Sequence, residues 1–579
     1  MSRIAVVEAE KCNQTRCGHM LCQRVCPVER TGESCVYEGD DKKAKIIEET
    51  CIGCGICVQK CPTQAITVIN LPQEFSSTPI HKYGESGFQL FDLAIPLFER
   101  VVGLIGKNGI GKSTAMKILA GLLKPNFKTD HDATIDELIN HFKGTEAHSY
   151  FERLRDGKIT LSYKPQQVEL IAKQFTGTVR DLLANVNADK LDETAAKLDL
   201  VHVLDREIAQ ISGGELQRVA IAAAIMKNAT VYAFDEPTNF LDIKQRLKTS
   251  KTIKHLANKE TAVLLIEHDL IVLDYVADIV HILYGKENAY GITSQPKTTK
   301  AGINVYLTGY LREENVRFRS KAITFESKPA KESDKDSRLC TWPAMQQTLG
   351  TFNFKASAGE IFSHDIIGVL GENGIGKTTF MRSLSGLEAD TKHGKLRISY
   401  KPQYIDVPDI SVLEYVQDAL SYEQQLMVPL ELHALLERPL STLSGGQLQR
   451  VAIARCLAAE ADLYLLDEPS AYLDVEQRLL MSKILRDMMV AKGKAAIVVD
   501  HDLLFIDYVA DKLIVFTGTP AISGSAHGPY SMAQGMNLFL KDLGVTFRRD
   551  DESRRPRINK EGSVLDKEQK SSGNLYYAD

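Results

Sequence analysis

Two glycine-rich segments of this 579-residue chain each end in Lys followed by hydroxyl residues, a pattern that binds nucleotide phosphates. They read GKNGIGKST at 106–114 and GENGIGKTT at 371–379. Glycine turns let backbone N–H groups surround phosphates, the lysine contacts the outer phosphates, and the hydroxyl binds Mg²⁺. The predicted ATP-binding residues are Asn108, Gly109, Gly111, Lys112, Ser113 and Thr114 in one segment and Asn373, Gly374, Gly376, Lys377, Thr378 and Thr379 in the other.

An acidic pair ends a further apolar run downstream of each glycine-rich segment. The runs are VYAFDEP at 231–237 and LYLLDEP at 463–469. Because buried apolar strands deliver their last residues to the carboxyl edge of a parallel sheet, Asp235 and Asp467 are predicted to bind Mg²⁺ there, with Ser113 and Thr378. Glu236 and Glu468 follow directly and are predicted to accept a proton from the attacking water.

A histidine and a glutamine accompany each acidic pair. His268 and His501 each follow an apolar run and are predicted to hold the γ-phosphate and the attacking water in line. Gln166 and Gln403 lie in the motifs KPQQ and KPQY and are predicted to complete the Mg²⁺ or water contacts and to sense the γ-phosphate. The recurrence of these polar residues at paired positions favours catalysis over a structural role.

The motifs occur twice in the same order, which indicates an internal repeat of two homologous units. Unit one carries an insertion of about 28 residues between its glycine-rich segment and Gln166. Two stretches within 132–158 have apolar residues at helical spacing and end in glycine, so they predict a helix-loop-helix. The alternative is an insertion without function, since surface loops tolerate insertions.

Nine of the eleven cysteines lie between Cys12 and Cys61, which indicates a metal-binding module rather than a disulfide framework. The run CIGCGICVQKCP at 51–62 has bacterial-ferredoxin spacing, in which three thiolates hold one 4Fe-4S cluster and the fourth reaches a second cluster. The predicted ligands are Cys12, Cys17, Cys22 and Cys61 for cluster 1 and Cys26, Cys51, Cys54 and Cys57 for cluster 2. Zinc or free thiols are the alternative, and Cys35 is predicted not to be a ligand.

The composition is that of a globular protein, with 44% hydrophobic and 25% charged residues. The formal net charge of −5 argues against a uniformly basic coat, so any RNA contact must be local. The sequence has no run of 18 apolar residues and no secretory-signal pattern at its start. We therefore expect a cytoplasmic protein with no membrane partner.

The motifs divide the chain into five predicted segments of an α/β protein: two P-loop nucleotide-binding domains in tandem, preceded by a small α+β ferredoxin-like iron-sulfur domain. The predicted boundaries are 1–75 for the iron-sulfur domain, 76–290 for unit one, 291–337 for a hinge, 338–545 for unit two and 546–579 for a basic C-terminal hinge segment. Six basic residues lie within 548–560 and are expected to dock on an acidic surface; a solvated tail is the alternative.

The segments ISGGELQR at 211–218 and LSGGQLQR at 443–450 resemble the signature of ATP-binding-cassette (ABC) proteins. In that family, the signature helix of one unit caps the nucleotide held by the P-loop of the other. The resemblance therefore implies that each ATP is closed by the opposite unit. It adds Ser212, Gly213, Gly214, Ser444, Gly445 and Gly446 to the expected ATP-binding residues.

The same resemblance suggests roles for residues outside these motifs. Asp242 and Asp474, which end the triplets FLD and YLD, resemble the loop that crosses between the two sites. Tyr83 is placed like the aromatic residue that stacks on adenine, with a packing role as the alternative. For unit two, Trp342 and Phe352 are both candidates for that stacking role.

The cysteine module, the twin cassettes, the insertion and the ending VTFRRD...RPRINK...DKEQKSSGN together resemble the ribosome-recycling ATPases of ABC subfamily E, the RNase L inhibitor family of archaea and eukaryotes, over essentially the whole chain. The resemblance implies ATP, Mg²⁺ and two 4Fe-4S clusters. Its implied partners are the ribosome (small subunit, with ribosomal RNA and protein) and a release-factor-like protein, with initiation factors as further candidates. It also implies a monomer whose two units pair with each other.

Members of that family use ATP-driven closure to move the iron-sulfur domain and split ribosomes after termination or rescue. An ATP-gated iron-sulfur redox enzyme is the main alternative. A membrane-importer subunit is a second alternative, against which the ferredoxin module argues. The sequence departs from the family at GHML, the residues between Cys17 and Cys22, which is one residue longer than usual and weakens the assignment of Cys22. Asp500 replaces the glutamate found at Glu267 of unit one, and little effect is expected.

Overall fold

The computed structural model describes residues 3–7, 11–39, 41–47, 50–63, 65–70, 78–84, 87–319, 322–323, 338–386, 390–391 and 394–576. The predicted boundary at residue 75 and residues 324–337 of the predicted hinge lie outside these ranges. The described chain comprises an N-terminal cysteine module, two units built on large sheets, and a C-terminal segment.

The cysteine module is small and is held by two antiparallel strand pairs. Strands Arg3–Val7 and Ile66–Asn70 pair its two ends, and Val36–Glu38 pairs with Ala44–Ile46. Its helices are Gln14–Cys17, Leu21–Val25, Pro27–Arg30 and Ile56–Lys60. Helices this short are not stable alone, so their packing around the buried cysteines must hold them. Arg16 forms an ion pair with Glu437 of unit two, so the module contacts the second unit.

Unit one is built on one large mixed sheet. In spatial order its strands are His81–Lys82, Gln89–Phe91, Tyr290–Thr293, Ile279–Lys286, Val101–Ile105, Ala262–Ile266, Val231–Asp235 and Leu161–Lys164, with Lys297–Thr298 pairing off Ile279–Lys286. Its helices are Lys112–Leu119, Ile135–His141, Glu146–Arg155, Glu169–Gln174, Val179–Asn187, Leu191–Lys197, Gly213–Met226, Ile243–Lys254, Leu270–Val276 and Thr299–Thr308. The central strands are parallel and fully buried apolar runs, as expected for strands covered on both faces.

Unit two repeats this arrangement. Its sheet strands, in spatial order, are Met345–Leu349, Phe352–Ala356, Ser523–Ser531, Lys512–Thr519, Ile366–Leu370, Ala495–Val499, Leu463–Asp467 and Ile398–Lys401. Two further strands, Arg338–Trp342 and Gly359–Phe362, pair with each other, as do Asp390–Thr391 and Gly394–Lys395. The helices are Lys377–Ser385, Val412–Tyr415, Gly445–Ala458, Val475–Lys492, Leu503–Val509 and Met532–Leu543. The same strand order in both sheets is consistent with the repeated motifs.

The insertion of unit one forms a helical hairpin. Helix Ile135–His141 begins with a capping box between Thr134 and Glu137. The second helix, Glu146–Arg155, buries Phe151 against the first, and its Tyr150 hydroxyl donates to the Leu119 carbonyl at 2.9 Å. The hairpin is therefore anchored on the P-loop helix of unit one.

The predicted hinge begins inside the sheet of unit one. Strand Tyr290–Thr293 straddles the predicted boundary at residue 290, and Lys297–Thr298 also pairs with the sheet. Helix Thr299–Thr308 then buries Ile303 and Tyr306 in the core shared by both units. The apolar residues of this helix have helical spacing and could have predicted it, but the surrounding glycine and charged residues favoured a hinge instead.

The C-terminal segment docks on unit one. Strands Phe547–Arg549 and Pro556–Ile558 pair, and helix Val564–Ser572 follows. Arg557 binds both carboxylate oxygens of Asp274 in helix Leu270–Val276, at 2.6 and 3.0 Å. Arg555 is fully buried and donates to the same carboxylate at 3.2 Å. The acidic surface expected for this basic segment thus lies within the chain itself.

We expect Asp274→Ala to release the C-terminal segment. It leaves the buried guanidinium of Arg555 without its carboxylate and leaves Arg557 with only Asp550, and breaking such a buried pair costs about 3–5 kcal/mol. Trypsin cleavage at Arg554 or Lys560 should accelerate by at least about a hundredfold, because cleavage follows local opening. The control is Lys251→Ala, which removes an exposed pair with Glu561 in the same segment and should change the rate less than about fivefold. Equal acceleration in both variants would contradict the docking role of Asp274.

Candidate active site

Both glycine-rich segments form a tight turn between a buried strand and a helix. Gly111 and Gly376 have φ angles of 94° and 96°, which favour glycine over any residue with a side chain. Lys112 and Lys377 begin the helices and turn back into the loops. The Nζ of Lys112 donates to Gly106 O at 2.9 Å, and the Nζ of Lys377 donates to Gly371 O at 2.9 Å. Each ammonium group is thus held where phosphates are expected to bind.

A hydroxyl and a carboxylate meet beside each P-loop. The Thr378 hydroxyl donates to Asp467 Oδ2 at 2.9 Å, and Ser113 hydrogen-bonds to Asp235. Burial raises the pKa of both aspartates, and the adjacent glutamate raises it further. A bound divalent cation would oppose this shift and favour the ionised carboxylates. The residues present therefore fit the hard oxygen donors that Mg²⁺ prefers.

Each candidate base sits in a strained turn and accepts hydrogen bonds from the neighbouring motifs. Glu236 and Glu468 have φ angles of 47° and 48°, which are uncommon for residues other than glycine. Gln166 Nε2 donates to Glu236 Oε2 at 2.9 Å, and Gln403 Nε2 donates to Glu468 Oε1 at 2.8 Å. Burial raises the pKa of each glutamate, but a neighbouring histidine and the P-loop lysine lower it to about 2 overall. Both side chains are therefore ionised at neutral pH, as a base must be.

The two sites differ in how tightly this glutamate is held. His268 Nε2 lies 3.0 Å from Glu236 Oε1, whereas His501 Nε2 lies 3.5 Å from Glu468 Oε1. Asn239 Nδ2 also donates to Glu236 Oε2 at 2.6 Å, and Ala471 occupies the equivalent position in unit two. Sequence reasoning missed Asn239, although the paired segments PTNFLD and PSAYLD differ at this residue.

The substitution of aspartate for glutamate before the second histidine changes little in the local bonding. Glu267 accepts from the Thr238 hydroxyl at 2.6 Å, and Asp500 accepts from the Ser470 hydroxyl at 2.7 Å. The Ser470 backbone N–H also donates to Asp500, at 3.0 Å. Glu267 and Asp500 thus each join the strand that precedes the histidine to the loop that follows the candidate base of the same unit.

Contacts between the units join the two candidate sites. Asp242 Oδ2 accepts from the backbone N–H of Asn373 at 2.9 Å, and Asp474 Oδ2 accepts from that of Asn108 at 3.3 Å. The second oxygen of Asp242 caps helix Ile243–Lys254. Each P-loop is therefore hydrogen-bonded to a carboxylate of the other unit.

The signature segments start the long helices Gly213–Met226 and Gly445–Ala458. Ser212 and Ser444 cap these helices, because each hydroxyl accepts a hydrogen bond from a backbone N–H in the first turn of the helix that follows it. Gly214, Gly445 and Gly446 lie against the loop that carries Phe240 or Tyr472, where a Cβ would crowd the aromatic ring or its carbonyl, whereas a Cβ at Gly213 would make an ordinary contact with Phe240. That the signature segment of each unit covers the nucleotide at the P-loop of the other unit stays a prediction from the family resemblance.

The aromatic candidates for adenine stacking occupy different environments. Tyr83 is 43% exposed, and its hydroxyl lies 3.4 Å from the Thr114 hydroxyl of the P-loop helix. Trp342 is buried at 3% exposure, and its ring packs against Phe380 in the core of unit two. The ring of Phe352 is half-buried beside the P-loop, 3.2 Å from where a Gly376 Cβ would lie. The geometry favours Phe352 over Trp342.

Phe88 is a further aromatic candidate that sequence reasoning missed. Its ring lies against Gly111 as Phe352 lies against Gly376. In the hairpin of unit one, the backbone N–H of Tyr83 donates to the Phe88 carbonyl, and in the hairpin of unit two Leu349 pairs with Phe352. Phe88 is therefore the counterpart of Phe352, and Tyr83 is the counterpart of Leu349. The hairpin register could have revealed Phe88, but the fixed spacing from the P-loop that selected Tyr83 could not.

The cysteines line two separate cavities in the N-terminal module. One is lined by Cys12, Cys17, Cys22 and Cys61, and the other by Cys26, Cys51, Cys54 and Cys57 together with Cys35. Backbone N–H groups of Ala44 and Ala65 donate to the sulfurs of Cys12 and Cys61, at 3.5 and 3.4 Å. Among the described residues, no three His, Cys, Asp or Glu side chains converge closely enough to hold a single metal ion. Thiols spread around a cavity fit a multi-atom cluster better than one tetrahedral ion.

Sequence comparisons match the three parts of the chain. The family described as ABC transporter matches residues 92–239 and 352–471, and the family described as 4Fe-4S binding domain matches 44–67. An uncharacterized ABC transporter ATP-binding protein of Methanocaldococcus jannaschii is 47% identical over 100% of this chain and 98% of its own length. The ABC transporter E family member 1 of Arabidopsis thaliana is 43% identical over 100% and 99% of the two chains. This chain belongs to the ABC E family.

Other comparisons agree with membership of the ABC E family. Translation initiation factor RLI1 of Saccharomyces cerevisiae is 42% identical over 100% of this chain and 98% of its own length. A chain from a model of ribosome-bound archaeal Pelota and ABCE1 is 48% identical, with a TM-score of 0.91 and coverage of 100% and 99%. The archaeal ribosome recycling factor aABCE1, solved with ribosomal stalk protein aP1, is 48% identical, with a TM-score of 0.81 and coverage of 86% and 99%.

Membership of the ABC E family confirms the predicted relationship and the predicted α/β fold class with an iron-sulfur domain. The chain is an ATP-hydrolysing enzyme that binds an iron-sulfur cluster. The comparisons do not support the redox-enzyme alternative. In the described part of the chain, no helix is both long and apolar enough to cross a bilayer.

We expect Phe352→Ala to weaken ATP binding at unit two. Loss of a base-stacking ring costs about 1–3 kcal/mol, which is about 5- to 150-fold in the dissociation constant. The measurement is titration with a fluorescent ATP analogue in a Lys112→Ala background, so that unit two dominates the signal. Trp342→Leu is the control, because it should lower thermal stability while leaving the affinity of the folded protein within about threefold. Normal affinity in Phe352→Ala would exclude Phe352 as the stacking residue.

Proposed function

We propose that this chain is an ATP-driven ribosome recycling factor that splits ribosomes into subunits after termination or rescue, together with a release-factor-like protein. The observation that carries the proposal is the pair of hydrogen bonds from the P-loop residues Asn108 and Asn373 to Asp474 and Asp242 of the opposite units. A nucleotide bound at either P-loop therefore acts on both units at once. The relatives named for translation and ribosome recycling supply the biological task.

ATP binding closes the two units, and hydrolysis allows them to separate again. Lys112 and Lys377 exchange their P-loop carbonyl partners for the outer phosphates. Glu236 and Glu468 accept a proton from the attacking water, while His268 or His501 orients the γ-phosphate. In each site the bond between the glutamate and Gln166 or Gln403 must rearrange before that water can reach the base.

Mg²⁺ would be held by the hydroxyl and carboxylate beside each P-loop, Ser113 with Asp235 and Thr378 with Asp467. When bound, the ion would neutralise charge on the phosphates. Gln166 and Gln403 would complete its contacts. This assignment is supported by the 2.9 Å hydrogen bond that already joins the Thr378 hydroxyl to Asp467.

The cysteines of the N-terminal module would hold two 4Fe-4S clusters, one in each cysteine-lined cavity. Their role would be structural, because cluster bonds to cysteines on several short helices would fix the module as a rigid body. Arg16 of this body lies next to Glu437 of unit two, and we infer that closure of the units moves the body. That motion is the step that forces ribosomal subunits apart.

The chain acts in the cytoplasm as a monomer whose two units pair with each other. Its partners are the small ribosomal subunit, through ribosomal RNA and protein, and a release-factor-like protein, with initiation factors as further candidates. Candidate contact surfaces are the helical hairpin at 132–158 and the C-terminal segment. The hairpin packs on the P-loop helix of unit one, which would link ribosome contact to the state of that site.

The function is tested by sucrose-gradient sedimentation of archaeal or eukaryotic ribosomes with this protein, a release-factor homologue and ATP. We expect wild type to convert whole ribosomes into subunits. Lys112→Ala combined with Lys377→Ala should abolish splitting, because phosphate contacts are lost. Glu236→Gln combined with Glu468→Gln should bind ATP normally but lower ATP hydrolysis by at least about a hundredfold. Intact ribosomes in every sample, with active ATPase, would contradict the proposal.

The two-cluster assignment predicts a simple pattern of iron content. Anaerobically purified wild type should contain about eight irons per chain. Cys17→Ser and Cys54→Ser should each lower this to about four, because each removes a ligand from a different cavity. Cys35→Ser, which changes the extra thiol of the second cavity, should retain about eight. About four irons in wild type, or zinc in place of iron, would contradict the assignment.

A further inference from the structure

The lysine of each KPQ motif is buried beside the active site but has no part in the proposed mechanism. Lys164 and Lys401 end the last strand of their sheets and are 1% and 2% exposed. A buried ammonium group is costly unless it is hydrogen-bonded and neutralised. The partners of these two side chains therefore indicate why a lysine is used there.

Both lysines donate to the backbone at the acidic pair. Lys164 Nζ lies 3.0 Å from Asp235 O and 3.4 Å from Glu236 O. Lys401 Nζ lies 2.8 Å from Asp467 O and 3.3 Å from Glu468 O. The same contacts occur in two units of different sequence, which argues against a chance arrangement.

A second donor reaches the same carbonyl from the signature helix. Gln217 Nε2 donates to Glu236 O at 2.8 Å, and Gln449 Nε2 donates to Glu468 O at 2.6 Å. On the other side of the turn, the backbone N–H of Glu236 donates to Ile266 O at 3.0 Å. The backbone of Glu236 is thus held by three elements: the strand that ends at Lys164, the signature helix, and the strand that precedes His268.

This backbone needs such support because it is strained. Non-glycine residues with positive φ are strained and persist only where surrounding contacts determine them. The left-handed turn aims the carboxylate of Glu236 at Gln166 and His268. If the turn relaxed, the carboxylate would leave the place where the attacking water is expected.

We propose that Lys164 and Lys401 are positioning residues that hold the strained backbone of Glu236 and Glu468, so that each carboxylate faces the γ-phosphate. The inference rests on the proposed role of these glutamates as bases. It assigns the lysines to the chemical step and not to nucleotide binding, because their contacts are to backbone oxygens and not to the P-loop.

The surrounding charges agree with this role. The carboxylates of Asp235, Glu236 and Glu267 surround the ammonium group of Lys164 and favour its charged form. Asp467, Glu468 and Asp500 surround that of Lys401 in the same way. A charged donor gives stronger hydrogen bonds to a carbonyl than a neutral one. Glutamine at this position would keep a donor but lose the charge.

The test compares Lys164→Met with Lys401→Met, singly and together, in the full-length protein loaded with iron. The double variant should lower kcat for ATP hydrolysis by about 10- to 100-fold and leave KM and ATP-analogue affinity within about threefold. Lys164→Gln combined with Lys401→Gln should recover part of the lost kcat. Thermal unfolding of each variant checks that the fold is retained.

The matched control is Lys492→Met, whose side chain also donates to backbone carbonyls, of Leu457, Ala458 and Ala459, away from the active site. It should leave kcat within about twofold. A double Met variant with normal kcat, or with kcat and affinity falling together, would overturn the inference. Glu236→Gln with Glu468→Gln is measured in parallel: its failure to reduce kcat would refute the bases themselves, and with them the inference.

Discussion

The structure depends on two carboxylates that cross between the units. Asp242 and Asp474 each cap a helix of their own unit and accept a backbone N–H from the P-loop of the other. Both are almost completely buried, so water cannot easily replace the partner N–H. Neither P-loop can therefore change shape without disturbing the unit opposite. This constraint turns two similar phosphate sites into one composite enzyme.

The shared core extends the same constraint beyond the P-loops. Helices Leu270–Val276 and Leu503–Val509 follow His268 and His501, contact each other and belong to one apolar cluster that runs through both units. The C-terminal segment adds Phe547 to this cluster and binds Asp274 on the first of these helices. A segment at the end of the chain thus stabilises the helix that begins just after His268.

The sequence identified those parts of the site whose chemistry is fixed by local spacing. A P-loop needs glycines and a lysine at set intervals, so Lys112 and Lys377 could be found without a structure. The cysteine runs were equally informative, because ferredoxin spacing specifies which thiol crosses to the second cavity. The eight cysteines line two cavities in those two sets, with Cys35 also in the second cavity, and their assignment as cluster ligands stays a prediction.

Features that depend on long-range pairing could not be read in the same way. The bond between Arg557 and Asp274 joins residues 283 apart in the chain. Only packing decides such contacts. Helix Thr299–Thr308 was not predicted, because polar and glycine residues surround it, although its apolar residues have helical spacing.

The two sites share a fold but not the same restraint on the base. Glu236 is bound by Gln166, His268 and Asn239, and its side chain is 10% exposed, whereas that of Glu468 is 23% exposed and lacks the asparagine. More donors hold a carboxylate more firmly and must be released before it can take a proton from water. Because Asp242 and Asp474 couple the P-loops, this difference cannot stay local. The rearrangement that frees Glu236 therefore breaks one more hydrogen bond, that of Asn239, than the rearrangement that frees Glu468.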